Sequence, residues 1–542
     1  MDTKKNIVLD EKPIFYRICS NIKIQLLLIL TIGIIIRIYY TPFELPITLD
    51  GVQYFWYAID TSILGRLPEV YYFPNNGWPI FLSLIFNIIN PETFLDFHII
   101  QRLSSIIFSV LTIIPIFLLC RRFFDAKIAI FGSCIFIFEP RLLLNSISGL
   151  PESLFIFLFT LSIYLFLSNN FKKIYIAFAL IAVLSLIRYE GFLLIFPFSI
   201  LLFFKFNKWK KNILKYILAI SIFILILLPA MYIKTETTPP VYDFVLDKHV
   251  DTDGVLSNVI SGSEYFVYDK QSSIFAKIVN GITNMAKFIG WQMIPYLLFF
   301  IPGGIILFFR NFDFNRKIIF VCTIVMLIPA FYAFSREFSE MKYLFIMMPM
   351  LSIVALSFVE KISRKIKKEN LLICLLIIGL IFSSVVFLEY KKIDYKHEIE
   401  AYNIGVKISL ITDVINDYEP ESRYIDEKIA EATLLDKFPA LFSSIPKQIT
   451  VIQGANGGQT IGCNTCYEAK SLSGFLDTAR SDGLEYLLVD DNPRRPEFIK
   501  DVIDNEHEYP FLEKIYDSKD DGLTYHVKIF KIDYERFDGE RK

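Results

Sequence analysis

Eleven long apolar runs constrain this chain more than any other feature. They lie at about 22–39, 98–119, 127–144, 151–168, 173–187, 190–204, 213–233, 286–309, 317–334, 342–359 and 370–389. A membrane-crossing helix needs about 20 apolar residues, with roughly 17 at the lower end. With 54% hydrophobic residues and a mean hydropathy of +0.47, the chain is too apolar for one soluble domain and cannot be disordered. The pattern predicts an all-α polytopic membrane protein with about eleven spans. A shorter run at 77–90 reads as a re-entrant or interfacial helix.

Charge sets the expected orientation. With the N-terminus in the cytoplasm and 77–90 not spanning, the inner segments hold Lys4, Lys5, Lys12, Arg17, Arg121, Arg122, Lys172, Lys173, the 205–215 stretch, Arg310, Arg316, Lys317 and 361–368. All are basic, and the outer connections are poor in Lys and Arg, as the positive-inside rule requires. Residues 1–390 hold 35 basic and 26 acidic side chains, whereas 391–542 hold 20 and 30. The chain therefore divides into a membrane domain, 1–390, and an acidic extracytoplasmic domain, 391–542. Nothing in this balance suggests a nucleic-acid surface.

The outer domain reads as a small α/β unit. Strands are expected at 448–453, 484–490 and 524–532, and helices at 398–416, 471–481 and 495–505. The Gly-rich stretch 454–462 lacks the Lys-Ser/Thr of a phosphate loop and reads as a turn. Cys463 and Cys466 form one CxxC, which supplies at most half of a zinc site; a local disulfide or two thiols is the simpler reading. The other five cysteines lie in or beside apolar runs. No HExxH, P-loop or paired Cys/His motif is present, so the residues call for neither a metal nor a cofactor.

The outer loops hold the chemistry. On a helical wheel, 48–65 (TLDGVQYFWYAIDTSILG) puts Val52, Phe55, Trp56, Ile59 and Ile63 on one side. Asp50, Tyr54, Tyr57 and Thr61 fall on the other. This predicts a surface helix whose polar face offers a carboxylate for general-base work and tyrosines to stack on or hydrogen-bond to a sugar. Spacing alone favours Asp50 as a helix cap with Gln53. In the second outer loop, Glu152 follows Pro151 at the electropositive start of a helix, which suits either dipole stabilisation or a second functional carboxylate. Arg102, Arg188, Glu190, Arg336 and Lys342 fall at outer span ends. Each cation could snorkel to headgroups, and together they could hold a lipid phosphate. No span carries an ionisable residue near its middle, which disfavours an ion-coupled carrier.

These segments resemble the GT-C membrane glycosyltransferases. The resemblance rests on LDGVQYFWYA, the following ILG and YYFPNNGWPIF, the Arg of IIQRLSS, and GLPESL. It covers roughly residues 20–200 and is strongest to glycosyltransferase family 39, the protein O-mannosyltransferase and aminoarabinose-transferase group. It implies a donor sugar carried on a polyprenyl phosphate, a protein, glycan or lipid acceptor at the outer face, and Asp50 as base. It matches Glu152 to the acidic position of the second loop and Arg102 to a recurrent family Arg with a structural role. The chain departs from the pattern at Gly51, where O-mannosyltransferases have a second acidic residue. It departs again at Asn75-Asn76-Gly77-Trp78-Pro79, where aminoarabinose transferases have Lys-Pro. All four Trp precede residue 391, so the Trp-Trp-Asp motif of oligosaccharyltransferases is absent from the soluble domain. The expected function is inverting sugar transfer from a polyprenyl-phosphate donor. The alternatives are a non-enzymatic polyprenyl-lipid carrier or flippase, or a membrane scaffold for the outer domain.

Overall fold

A computed structural model describes residues 21–47, 50–68, 76–91, 94–206, 209–237, 274–336, 340–366, 368–411, 449–451, 471–480, 486–490, 497–524 and 526–540. Every one of the eleven apolar runs is helical. Among the described residues, six helices are long and apolar enough to cross a bilayer unaided: Ile22–Tyr40, Leu95–Cys120, Asn212–Pro229, Phe314–Ser335, Met341–Ser363 and Glu369–Lys392. Two further runs are bent pairs, Ala126–Ile137 with Pro140–Ile147 at 53° and Phe275–Met293 with Leu297–Arg310 at 112°. The chain is a multi-pass membrane protein, with six to eight candidate spans by length and apolarity among the described residues.

The other three runs form the helices Glu152–Phe166, Phe171–Ile187 and Tyr189–Leu194, the last continuing as Ile195–Lys205. At 1.5 Å per residue, Glu152–Phe166 reaches only about 22 Å, short of a hydrocarbon core about 30 Å thick. The run at 286–309 straddles the 112° bend and does not cross as one rod. The run at 77–90 forms the 13-residue helix Gly77–Ile89, which packs against Asp50–Leu64 and buries Trp78, Leu82 and Phe86.

The break at residues 138–139 matters most for the site. Opening a helix inside a membrane protein frees backbone groups that must find partners in the protein. Here Tyr296 Oη donates to the Ile135 carbonyl at 3.1 Å, Arg37 Nη2 to the Ile137 carbonyl at 3.2 Å, and Ser384 Oγ to the Phe138 carbonyl. Glu139 caps the second half by accepting from Leu142 N at 2.6 Å. Arg37 is fully buried and also donates to Ser146 Oγ, Ser109 Oγ and the Gly33 carbonyl. One side chain from the first span thus joins three other helical segments and fixes where Pro140–Ile147 points.

The C-terminal unit contains a four-stranded sheet of β1 (Ile449–Val451), β2 (Tyr486–Asp490), β3 (Leu512–Asp517) and β4 (Val527–Ile532), ordered β1-β2-β4-β3. The β1/β2 pair is parallel, and β4 runs antiparallel to both β2 and β3. Helices Leu472–Arg480 and Glu497–Asp504 bury Leu472, Phe475, Leu476 and Val502 in its core. β3 was not expected: Glu513 and Lys514 interrupt its apolar pattern, which an edge strand tolerates. The expected helix at 398–416 is the end of one 43-residue helix, Glu369–Ile411, which runs through the 390/391 boundary. Its Glu400 accepts from Thr524 N and Oγ1 at 3.2 and 2.6 Å, which ties the helix to the sheet unit. The 454–462 turn and Cys463/Cys466 lie outside the described residues.

Candidate active site

Asp50 opens the helix Asp50–Leu64, and its carboxylate is paired with Lys342 Nζ rather than folded back as a cap. The pair joins residues 292 apart in sequence. Lys342 Nζ also meets Glu340 Oε2 at 2.5 Å. The Asp50 and Glu340 side chains are 50% and 51% exposed, whereas Lys342 is mostly buried. Gly51 explains the missing second acidic residue. A Cβ there would lie 2.2 Å from Ile47 Cγ2 and 3.2 Å from the Ser148 carbonyl oxygen, so no side chain fits.

The second cluster lies alongside. Arg188 donates twice to Glu190, Nη2 to Oε1 at 2.7 Å and Nε to Oε2 at 3.3 Å, and once to Glu152 Oε1 at 2.5 Å. Glu152 and Glu190 are only 5% and 8% exposed. Burial disfavours the Arg188 charge, but Glu190 and Glu152 outweigh it and hold the guanidinium above its ordinary value. Glu152 sits in the first turn of Glu152–Phe166, where the helix dipole also favours its charge. Its second oxygen, Oε2, is buried and has no hydrogen-bond partner among the described residues.

Two cavities meet at Lys342 and Phe345. The inner one, about 30 Å³, is lined by Glu152, Arg188, Glu190, Lys342 and Tyr343 among others, and has room for roughly one water. The outer one, about 370 Å³, has polar walls of Arg141, Asn145, Ser148, Glu340 and Lys342 over Leu144, Met341 and Phe387. The Pro140–Ile147 helix and the residue after it supply three of those polar walls, so the helix break builds this cavity.

The structure therefore brings Asp50, Glu152, Arg188, Glu190 and Lys342 together. Tyr54 and Tyr57 are not displayed as the helical wheel suggests. Both are buried at 9% and 2% exposure, and burial pushes their phenols up, so they stay neutral. The burial of Asp50–Leu64 overrides its surface pattern: Tyr57 is inside, whereas Ile63 from the apolar side is exposed. Tyr54 lies within electrostatic reach of Arg188, Glu152, Asp50 and Lys342. Arg102 Nη2 donates to the Pro46 and Leu45 carbonyls at 2.8 and 3.2 Å. Its neighbour Gln101 Nε2 donates to the Gly149 and Gly51 carbonyls at 2.9 and 3.0 Å. These two residues brace the 45–51 segment and the Gly149 loop against each other. Arg336 stacks over Tyr332 at 4.6 Å. Sequence reasoning missed Glu340 and Arg141; their only signal was a charged residue beside an apolar run.

The fold resembles that of GT-C membrane glycosyltransferases. The structure resembles the Archaeoglobus fulgidus oligosaccharyltransferase solved with Zn and sulfate, with TM-score 0.54 and 13% identity over 85% of this chain and 68% of that one. The archaeal oligosaccharyltransferase AglB from Archaeoglobus fulgidus, in complex with an inhibitory peptide and a dolichol-phosphate, matches with TM-score 0.50 and 13% identity over 86% and 69%. The apo ArnT of Cupriavidus metallidurans aligns with TM-score 0.49 and 11% identity over 93% and 97%. Residues 80–233 match the family described as dolichyl-phosphate-mannose-protein mannosyltransferase, so the family 39 likeness read from the sequence holds for that segment. No curated protein matches the chain.

Proposed function

We propose that this protein is an enzyme that transfers a sugar from a polyprenyl-phosphate donor to an acceptor at the outer face of the membrane. The observation that carries this reading is the meeting of Asp50 with Lys342, and of Arg188 with Glu152 and Glu190, from four separated segments, with Lys342 lining both the small cavity of the Arg188 cluster and the wide polar cavity. The match of 80–233 to a dolichyl-phosphate-mannose transferase family supports it, as does the dolichol-phosphate bound to the archaeal neighbour. The basic inner segments support an N-terminus in the cytoplasm, with the site and residues 391–542 outside.

In this reading Asp50 takes the proton of the acceptor nucleophile, which attacks the anomeric carbon from the side opposite the phosphate. The sugar is transferred with inversion, and the bond to the lipid phosphate breaks. Lys342 offers a cation to the departing phosphate, the part that the 75–79 segment lacks as a lysine. Arg188, Glu152 and Glu190 form the rigid floor, and Glu152 Oε2 is available to an acceptor hydroxyl or a water. The wide cavity has hydroxyl, amide and charged walls over an apolar floor, which suits a sugar ring.

The test is purified protein in lipid nanodiscs with a panel of polyprenyl-phosphate sugars, read as release of the lipid phosphate. Transfer from at least one donor is expected. Binding of the lipids with no transfer from any donor would return the carrier reading.

A further inference from the structure

Neither Arg188 nor Lys342 is idle. Arg188 is held by Glu190 and Glu152, and Lys342 by Glu340 and Asp50. An incoming phosphate must therefore displace a carboxylate, and the two cations differ in what that displacement leaves behind. Stripping Arg188 would strand Glu152 or Glu190, both more than nine-tenths buried, as an uncompensated charge away from water. Stripping Lys342 would release a carboxylate already half in solvent, which water can rehydrate. The exchange belongs at Lys342.

Its two partners are not equivalent either. Glu340 lies two residues before Lys342 on the same segment, and both line the wide cavity. Asp50 reaches Lys342 from a different element, the start of Asp50–Leu64. The tether through the chain favours keeping Glu340 and losing Asp50, because the local contact needs little further ordering.

We propose that Glu340 is a positioning residue for the transfer reaction. It anchors Lys342 at the cavity wall while the donor's phosphate takes the place of Asp50. Arrival of the donor thereby frees Asp50 to act as base, and an unoccupied site keeps that base masked by an ammonium. The inference rests on the reading of Asp50 as base and of a lipid phosphate as the donor's anion. It adds a residue and an order of events to that reading.

The first readout does not need turnover. Labelling of the Asp50 carboxylate by a water-soluble carbodiimide and an amine is followed by peptide mass spectrometry in nanodiscs, with and without undecaprenyl phosphate. The lipid should raise Asp50 labelling several-fold in the wild-type protein, should fail to do so in Glu340→Gln, and should do so again in Glu340→Asp. Unchanged or reduced labelling in the wild-type protein would overturn the exchange, and a rise that persists in Glu340→Gln would overturn the role of Glu340. The second readout is steady-state transfer. Glu340→Gln should lower kcat roughly tenfold or more, since the base stays partly masked, with little change in donor KM. An effect confined to KM, as expected from mere removal of a surface charge near the phosphate, would count against the proposal. Because Glu340 is half-exposed, the thermal midpoint should not move, and Glu340→Asp should restore kcat. Failure of the wild-type protein to transfer from any donor would refute the functional reading, while the labelling result still decides the exchange.

Discussion

Replacing Asp50 by Asn separates chemistry from structure at the centre of the site. The side chain is 50% exposed and its ion pair reaches Lys342 at the edge of a cavity. A pair whose carboxylate is half in solvent contributes about 1 kcal/mol or less after screening. Lys342 keeps Glu340 at 2.5 Å, so no mostly buried ammonium is left alone. Asn also begins a helix about as well as Asp. The variant should therefore fold and lose less than about 1 kcal/mol of stability. Its amide cannot take a proton, so transfer should slow by roughly 10²–10⁴-fold, a barrier increase of about 2.7–5.5 kcal/mol. The assay is release of polyprenyl phosphate from a labelled donor, run beside thermal unfolding of the same nanodisc sample. A stable Asp50→Asn protein that transfers near the wild-type rate would refute the base assignment and leave the residue an ion-pair partner only.

Arg188→Met should behave in the opposite way: it leaves Glu152 and Glu190 buried and unpaired, a loss of about 3–5 kcal/mol that thermal unfolding would register before any assay of transfer. Arg37→Leu removes the donors to the Ile137 and Gly33 carbonyls and to Ser109 and Ser146; at about 1–3 kcal/mol per orphaned group, it should cost several kcal/mol, with Arg37→Lys intermediate. In the C-terminal unit, hydrogen bonds from Lys514 and Lys528 hold the Glu506 carboxyl below its ordinary value. Its contribution should be complete above the unfolded Glu pKa of about 4.3 and lost as pH falls through the lower folded value. Hydrogen-exchange protection of 512–517 and 527–532, corrected for intrinsic rates, should follow that acid limb in the wild type and lose it in Glu506→Gln.

The apolar runs determined the membrane class by themselves, because burying backbone in lipid leaves few alternatives to a helix. The same local logic located helices Leu472–Arg480 and Glu497–Asp504 and strands β1, β2 and β4 to within a few residues. Asp50, Glu152, Arg188, Glu190 and Lys342 were also legible as candidates, since charged residues at the ends of apolar runs stand out against their surroundings. What the sequence could not express was which of them meet. Lys342 finds Asp50 across 292 residues, and no periodicity or spacing carries a contact of that range. Nor could it show that Asp50–Leu64 is packed on both sides, because the wheel assigns faces to a helix without knowing its neighbours. Tyr54 and Tyr57 are buried for that reason. The break at 138–139 is a third case. The run 127–144 is apolar enough for one continuous helix, and only the partners Arg37, Ser384, Tyr296 and Glu139 make an interruption affordable. The outer cavity exists because those distant side chains satisfy the backbone that the break exposes, which is a property of the assembled bundle and not of any one segment.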